Sequence, residues 1–278
     1  MTAPFASVFE FGKPRLYFGT GNMLTIHVPK GARFLDGFLL GPGGNGGAGA
    51  SGAAGTSRGG GGGGGAGGFM IFRLPTALLP RTIFLQLPQA GAGGTSKLLM
   101  SNILSDDNYK IVAGAPGNNG ADGSGSAAGG GGSISGDSLG RVAVFGPTNN
   151  TNGPQSGANG GYGDNAGASS LVPPQVASMG GSGGAGVATA DQYGGYLASP
   201  SLSPAVQANP GQNGFHGPLQ LKPWLSFTAG SGGGSSNTGT GGSGGNGAPG
   251  CGGGGGGAGV TGSKGGLGGC GFAQIQWS

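Results

Sequence analysis

The chain has 278 residues, of which 77 are glycine and 18 proline, while only 7% are charged and 7% aromatic. Its 12 basic and 8 acidic residues leave a net charge of +4 and stand singly along the chain. That pattern excludes a nucleic-acid arm, and the scarcity of large apolar residues excludes a conventional core running through the whole length.

Residues 5–10 and 15–19 read as short β-prone pieces separated by a Gly-Lys-Pro turn. Residues 22–28 alternate, with Leu24, Ile26 and Val28 on one face and Met23, Thr25 and His27 on the other. His27 is expected to be a buried histidine with one satisfied hydrogen bond, not a ligand. Pro29-Lys30-Gly31 turns the chain into a partner strand over 33–40. Residues 1–40 are thus read as N-terminal strands and a candidate attachment segment, and residues 41–278 as a glycine-rich domain.

Between 43 and 68, 16 of 26 residues are glycine, seven of them in succession from 59 to 65. Glycine loses the most backbone entropy on ordering, so such a run orders only if its main chain is hydrogen-bonded. Collagen is excluded, because glycine does not recur strictly at every third position and no proline lies within the run. The alternative is a bundle of extended polyglycine II helices, three residues per turn, exchanging main-chain bonds side by side. At about 3.1 Å per residue the run would span roughly 80 Å in one piece. It is therefore predicted to double back two or three times, with turns near 51–54 and 56–58.

Strand patterns resume at 69–74 and 81–87, where Ile83, Leu85 and Leu87 share a face. A glycine patch at 91–94 precedes strands at 97–103 and 109–113. A second glycine run covers 114–136, and 140–145 reads as a strand with Val142 and Val144 inward. Residues 146–217 form a loop-rich insert. Its first part, 147–165, is rich in Asn, Gly, Thr and Pro, and a brief apolar piece follows at 171–175. A glycine patch at 180–186 leads to 190–218, which carries Tyr193, Tyr196, Phe215 and His216. Strands return at 219–222 and 224–227. The last run, 229–271, has 24 glycines in 43 residues, and 272–278 closes the chain with Ala273, Ile275 and Trp277 on one face. No helical periodicity persists for two turns. The expected fold is all-β: short antiparallel strands in a sandwich-like core plus bundled polyglycine II helices, with no substantial α-helix.

Few residues are arranged for chemistry. GxGxxG strings occur outside any strand–helix context, and Ser263-Lys264 has the wrong order for a phosphate loop. A serine nucleophile needs a histidine base, and only His27 and His216 exist. Asp106 and Asp107 are adjacent carboxylates that diverge into solvent. Asn149-Asn150-Thr151 fits an acceptor sequon, but residues 1–10 lack the basic start and apolar run of a leader. No apolar stretch approaches the ~20 residues of a membrane span. Cys251 and Cys270 lie in the last glycine run without zinc-ligand spacing. They read as small buried thiols, with a bridge between neighbouring segments left open. No enzymatic activity, metal or cofactor is expected.

What remains is a set of rings in polar loops: Tyr162, Tyr193, Tyr196 and Phe215, with His216 beside the last. Either they cap the glycine slab or pack on a neighbouring subunit, or they offer stiff contact area to sugars or outer-membrane loops. Asn149, Asn150, Asp164 and Asp191 would add hydrogen bonds to a polysaccharide. For recognition, Tyr193, Tyr196 and Phe215 are expected together at one end of the slab.

The order of features is Val28-Pro29-Lys30-Gly31, the strand 33–40, the glycine run, the strand opening at Phe69, and finally Gly265-Gly266 through Gly271-Phe272 to Ile275 and Trp277. This order resembles the glycine-rich domain of bacteriophage tail fibres and virion appendages, and more loosely the polyglycine-sandwich adhesins of T-even-like phages. The resemblance is architectural and spans residues 24–278. It implies a rigid glycine-helix slab whose loops touch a bacterial surface protein or polysaccharide, in a virion made in the infected host cytoplasm. Only about 40 residues precede the first run, so a short fibre or decoration attached to other virion proteins through residues 1–19 fits better than a separately docked tip. Fibre subunits complete their cores between chains, so the thin apolar faces led by Leu24, Ile83 and Ile275 imply a homotrimer. A purely structural capsid or tail component, and an ice-binding protein, are the alternative readings.

Overall fold

The structure is a computed structural model that describes residues 12–102, 110–133, 160–161, 163–168, 179–199, 202–220 and 226–278. The described chain is all-β, and its one helical piece is a single 3-10 turn at Thr76–Leu78. Among the described residues there are twelve strands: β1 (Arg15–Phe18), β2 (Met23–His27), β3 (Phe34–Leu40), β4 (Phe69–Pro75), β5 (Thr82–Gln86), β6 (Ser96–Leu99), β7 (Lys110–Gly114), β8 (Leu197–Ser199), β9 (Leu202–Val206), β10 (Leu219–Gln220), β11 (Ser226–Phe227) and β12 (Phe272–Trp277). Two four-stranded antiparallel sheets, β1-β12-β3-β4 and β2-β5-β6-β7, are accompanied by the hairpins β8-β9 and β10-β11.

The alternation seen in the sequence closes the core. Ala273, Ile275 and Trp277 sit opposite Leu39, Gly37 and Leu35 in the first sheet. Their face meets Ile26, Ile83, Leu85 and Leu98 of the second, and all of these apolar side chains are buried in one cluster. Ile83 and Ile275 are therefore covered within a single chain, contrary to a core completed between subunits. His27 lies on the other face of β2 and is exposed, with Nδ1 3.3 Å from Thr82 Oγ1, so it is not the buried histidine expected. A core-facing Ile26 leaves its neighbour no choice but the outer face.

Beyond the sheets the glycine runs form extended segments bonded at every third residue. Gly44 and Gly47 donate to the carbonyls of Gly65 and Gly62, each at 2.8 Å. Gly61, Gly64 and Gly67 donate to Gly256, Gly253 and Gly250 at 2.8–2.9 Å. A step of three on both partners is the signature of three residues per turn. Successive residues then face different neighbours, and each face needs its own glycine.

The segment 59–68 bonds to six others: 41–50, 115–123, 127–133, 160–161, 179–187 and 250–256. The segment 250–259 is likewise ringed by 41–50, 59–68, 179–187, 228–235, 240–247 and 262–270. These two central segments hold the unbroken glycine runs 59–65 and 252–257. A Cβ added at any residue from 59 to 65 would fall inside 3.0 Å of a backbone oxygen. None of these glycines has a positive φ, so glycine is required there for close approach and not for backbone freedom. Segment 41–50, covered on fewer sides, needs two glycines in three, and its third positions Asn45 and Ala48 are only partly buried. Segment 115–123, at the edge, needs one in three: Gly117, Gly120 and Gly123.

The run at 43–68 doubles back once, through a single loop at 51–58 with Gly55 at φ +77°. The two or three reversals expected are unnecessary, because neighbours come from distant runs. β3 continues into 41–50, 59–68 enters β4, β7 continues into 115–123, β11 into 228–235, and 262–270 enters β12. The sheets thus sit at one end of the bundle. The reversals at 51–58, 124–126, 188–191, 236–239 and 260–261 sit at the other.

The predicted strands at 5–10 and 140–145, the piece at 171–175, and residues Tyr109 and Trp224 lie outside the described residues. The hairpin β8-β9 falls in a stretch read as loop, because Pro204 sits inside β9 and proline argues against a strand.

Candidate functional site

The predicted contact residues lie on segments 192–196 and 207–217, outside 228–235. Ser235 donates to Gln192 O at 2.9 Å, Gly234 to Gln212 O at 3.0 Å and Ser231 to Phe215 O at 3.0 Å. The two segments are tied to each other by Gly194 N–H on Ala208 O at 3.0 Å. Gly194, Gly195, Gly214 and Gly217 face inward, where an added Cβ would strike backbone. The three-residue turn then sends other positions outward. Tyr193 and Tyr196, three apart, share a face and are each 47% exposed, and Phe215 is 48% exposed. These bonds run alongside 228–235, so the rings stand along the flank of the bundle, not gathered at its end. Tyr162 lies outside the described residues, as do Asn149 and Asn150.

His216 has a definite task. Its Nδ1 accepts the main-chain N–H of Asn246 at 2.9 Å, while Asn213, three residues earlier, accepts that of Ser243 at 2.9 Å. The same device recurs on the opposite edge. Asn119 Oδ1 accepts from Asn45 N–H at 2.9 Å and Asp122 Oδ1 from Ala48 N–H at 2.7 Å. At the rim, side-chain oxygens and nitrogens replace the carbonyls a further helix would have supplied, because an unpaired main-chain donor is costly to leave unmet. Sequence reasoning missed this role. Its signal was present as Asn, Asp or His repeating at steps of three beside single glycines.

The end with the reversals is held by polar side chains. Arg58, fully buried, donates to Thr56 O (3.1 Å), Gly52 O (3.2 Å), Asn237 O (3.0 Å) and Asn237 Oδ1 (2.8 Å). Asp191 Oδ1 accepts from Asn237 N–H. Asp164 Oδ1 accepts the N–H groups of Ala188, Thr189 and Ala190 at 2.7, 2.7 and 2.9 Å, and its Oδ2 accepts the Thr189 hydroxyl at 2.6 Å. The Thr189 hydroxyl, followed by those main-chain donors, holds its carboxyl well below the usual carboxylate range. Asp164 thus holds the 188–190 loop and Asp191 the loop at Asn237, so both carboxylates tie neighbouring loops together.

Both cysteines are free; Cys251 is buried and Cys270 half-buried. Burial pushes the Cys251 thiol up to about 12, against the opposing effect of Met179 N–H on its Sγ. Cys270 is also raised by burial. Both shifts disfavour the thiolate, the nucleophilic form of cysteine. Among the described residues no group of His, Cys, Asp and Glu is placed to hold a metal ion, and no helix is long and apolar enough to cross a membrane.

No protein-family model matches the chain, and no curated protein matches it.

Proposed function

We propose that the chain is a non-enzymatic phage virion fibre or tail protein whose glycine bundle is a rigid scaffold for receptor-contacting side chains. The observation that supports this most is the disposition of Tyr193, Tyr196 and Phe215. Each is half-exposed on a segment whose inward positions are already filled by glycine, so the rings project away from the packed backbone. Stiff aromatic area held on a fixed backbone is what recognition of a host surface protein or polysaccharide requires. In this reading the protein acts in the virion, after synthesis in the host cytoplasm, and is joined to other virion proteins through its N-terminal segment.

The test is the triple variant Tyr193→Ala/Tyr196→Ala/Phe215→Ala. Its melting temperature is expected to stay within a few degrees of the parent, because exposed side chains contribute little to folding. Adsorption to susceptible bacterial cells is expected to fall by about tenfold or more, since anchoring aromatics at interfaces contribute ~2 kcal/mol each. Lost stability with adsorption retained on assembled particles overturns the reading.

One observation favours the second reading, a purely structural capsid or tail component. On the outer face of the first sheet Leu16 and Ile71 are exposed at the two ends of a cross-strand row through Gln274 and Phe38, the last already packed against Phe227 and Phe272. An apolar row of this kind suits contact with another virion subunit or a homotrimer.

A further inference from the structure

At the junction of the second sheet and the glycine bundle lies a cleft of about 670 Å³ that the proposed function does not use. One wall is the β1–β2 turn with Thr20 and Asn22. The other is the end of β5 and the loop after it, with Gln86, Pro88, Gln89 and Thr95. Both walls are fixed by main-chain bonds: Gly21 N–H to Leu87 O at 3.0 Å, Gly271 N–H to Pro88 O at 2.9 Å and Gly91 N–H to Gly268 O at 3.0 Å. Asn45 Nδ2 adds a bond to Gly91 O at 3.2 Å. The loop turns through Gly91, Gly93 and Gly94, all at positive φ, which leaves its inner side free of bulky side chains. The cleft is therefore preformed and lies within the roughly 300–1,000 Å³ of small-molecule sites.

Its lining is polar and nearly uncharged. Several amide side chains of the bundle are engaged with main-chain groups, as Asn45, Asn119, Asn213, Asn237 and Asn246 show. Around the cleft, three amides (Asn22, Gln86 and Gln89) and two hydroxyls (Thr20 and Thr95) converge, and none of these five side chains bonds to protein among the described residues. Gln89 reaches across, its Oε1 lying 3.9 Å from where a Cβ on Gly21 would stand. No carboxylate lines the cleft, and Lys97, its one charged residue, is engaged within the protein. A primary amide donates and accepts at once, as a sugar hydroxyl does, whereas a charged group matches only one of those roles. Pro88, a largely buried ring that lines the cleft, supplies a small apolar patch for a sugar's C–H face.

We propose that this cleft binds a neutral saccharide unit, gripped by the amides of Asn22, Gln86 and Gln89 over Pro88. The assignment stands on the cleft alone and does not depend on the chain being a virion protein.

The test is saturation-transfer NMR on the full chain with methyl glucoside, methyl galactoside and N-acetylglucosamine, using glucuronic acid and glucose 6-phosphate as acidic comparators. At least one neutral sugar is expected to bind with a Kd on the order of 1 mM, and to shift amide signals of residues 20–22 and 86–95 in the unmodified protein. The double variant Asn22→Ala/Gln89→Ala, changed only in exposed loops, is expected to keep its melting temperature and to bind about tenfold more weakly, the size expected for two lost hydrogen bonds. The triple variant at Tyr193, Tyr196 and Phe215 is expected to bind the sugar unchanged, which separates this site from the ring surface. The assignment is overturned if no neutral sugar binds, if only the acidic comparators bind, if the shifts fall elsewhere, or if the folded double variant binds as the parent does.

Discussion

At Gly62 an added Cβ would fall on the Gly130 carbonyl oxygen, while at Gly130 itself it would meet nothing within 4 Å. One residue type thus serves two purposes within a single pair of bonded segments. Gly62→Ala is expected to destabilise by at least about 3 kcal/mol, since backbones cannot yield as side chains do. Gly130→Ala is expected to stay within about 0.5 kcal/mol of the parent. Urea unfolding of both variants measures the difference, and equal losses would contradict close packing at Gly62. Asp164 offers a pH-dependent counterpart. Its folded carboxyl titrates below the ordinary range, so its contribution to stability is fully present above pH about 4 and is lost as the pH falls through the folded value. The stability gap between the parent and Asp164→Asn is expected to narrow progressively below that pH in acid-dependent urea unfolding, and a constant gap would contradict the assigned bonds.

For an extended segment, the number of covered faces sets the glycine content: three in three for 59–65, two in three for 41–50, one in three for 115–123. The central segments derive their order from neighbours on every side, because a polyglycine II helix has no internal hydrogen bonds. Their main-chain donors are bonded inside the bundle, whereas the 51–57 loop is largely exposed. Amide exchange followed by mass spectrometry is expected to be far slower across 59–68 and 250–257 than across 51–57. Random-coil rates in the central segments would dismantle the bundle.

Taken whole, the molecule places its apolar core at one end, carries a slab of bonded backbone away from it, and closes the far end with polar loops. The core closes within one chain, so the assembly prediction rests on surface features, here the exposed Leu16 and Ile71 on the first sheet's outer face. A homotrimer is expected by light scattering at micromolar concentration, and Ile71→Lys is expected to shift it to monomer. A monodisperse monomer of the parent chain would refute the trimer.

The sequence by itself determined most strands of the two four-stranded sheets, their inward faces and the conformation of the glycine runs. β-Period alternation marks Ile83, Leu85, Leu87, Ile275 and Trp277, all buried. A 26-residue stretch with 16 glycines and no proline leaves few ordered states besides polyglycine II. Only the tertiary structure decided which segments are neighbours. Main-chain bonds between glycines carry no side-chain code, so nothing local says that 59–68 lies between 115–123 and 250–256. For the same reason the flank position of Tyr193, Tyr196 and Phe215, the task of His216 and the convergence of Asn22 with Gln86 and Gln89 were illegible. Each depends on backbones approaching from distant parts of the chain, and glycine permits that approach without specifying the partner.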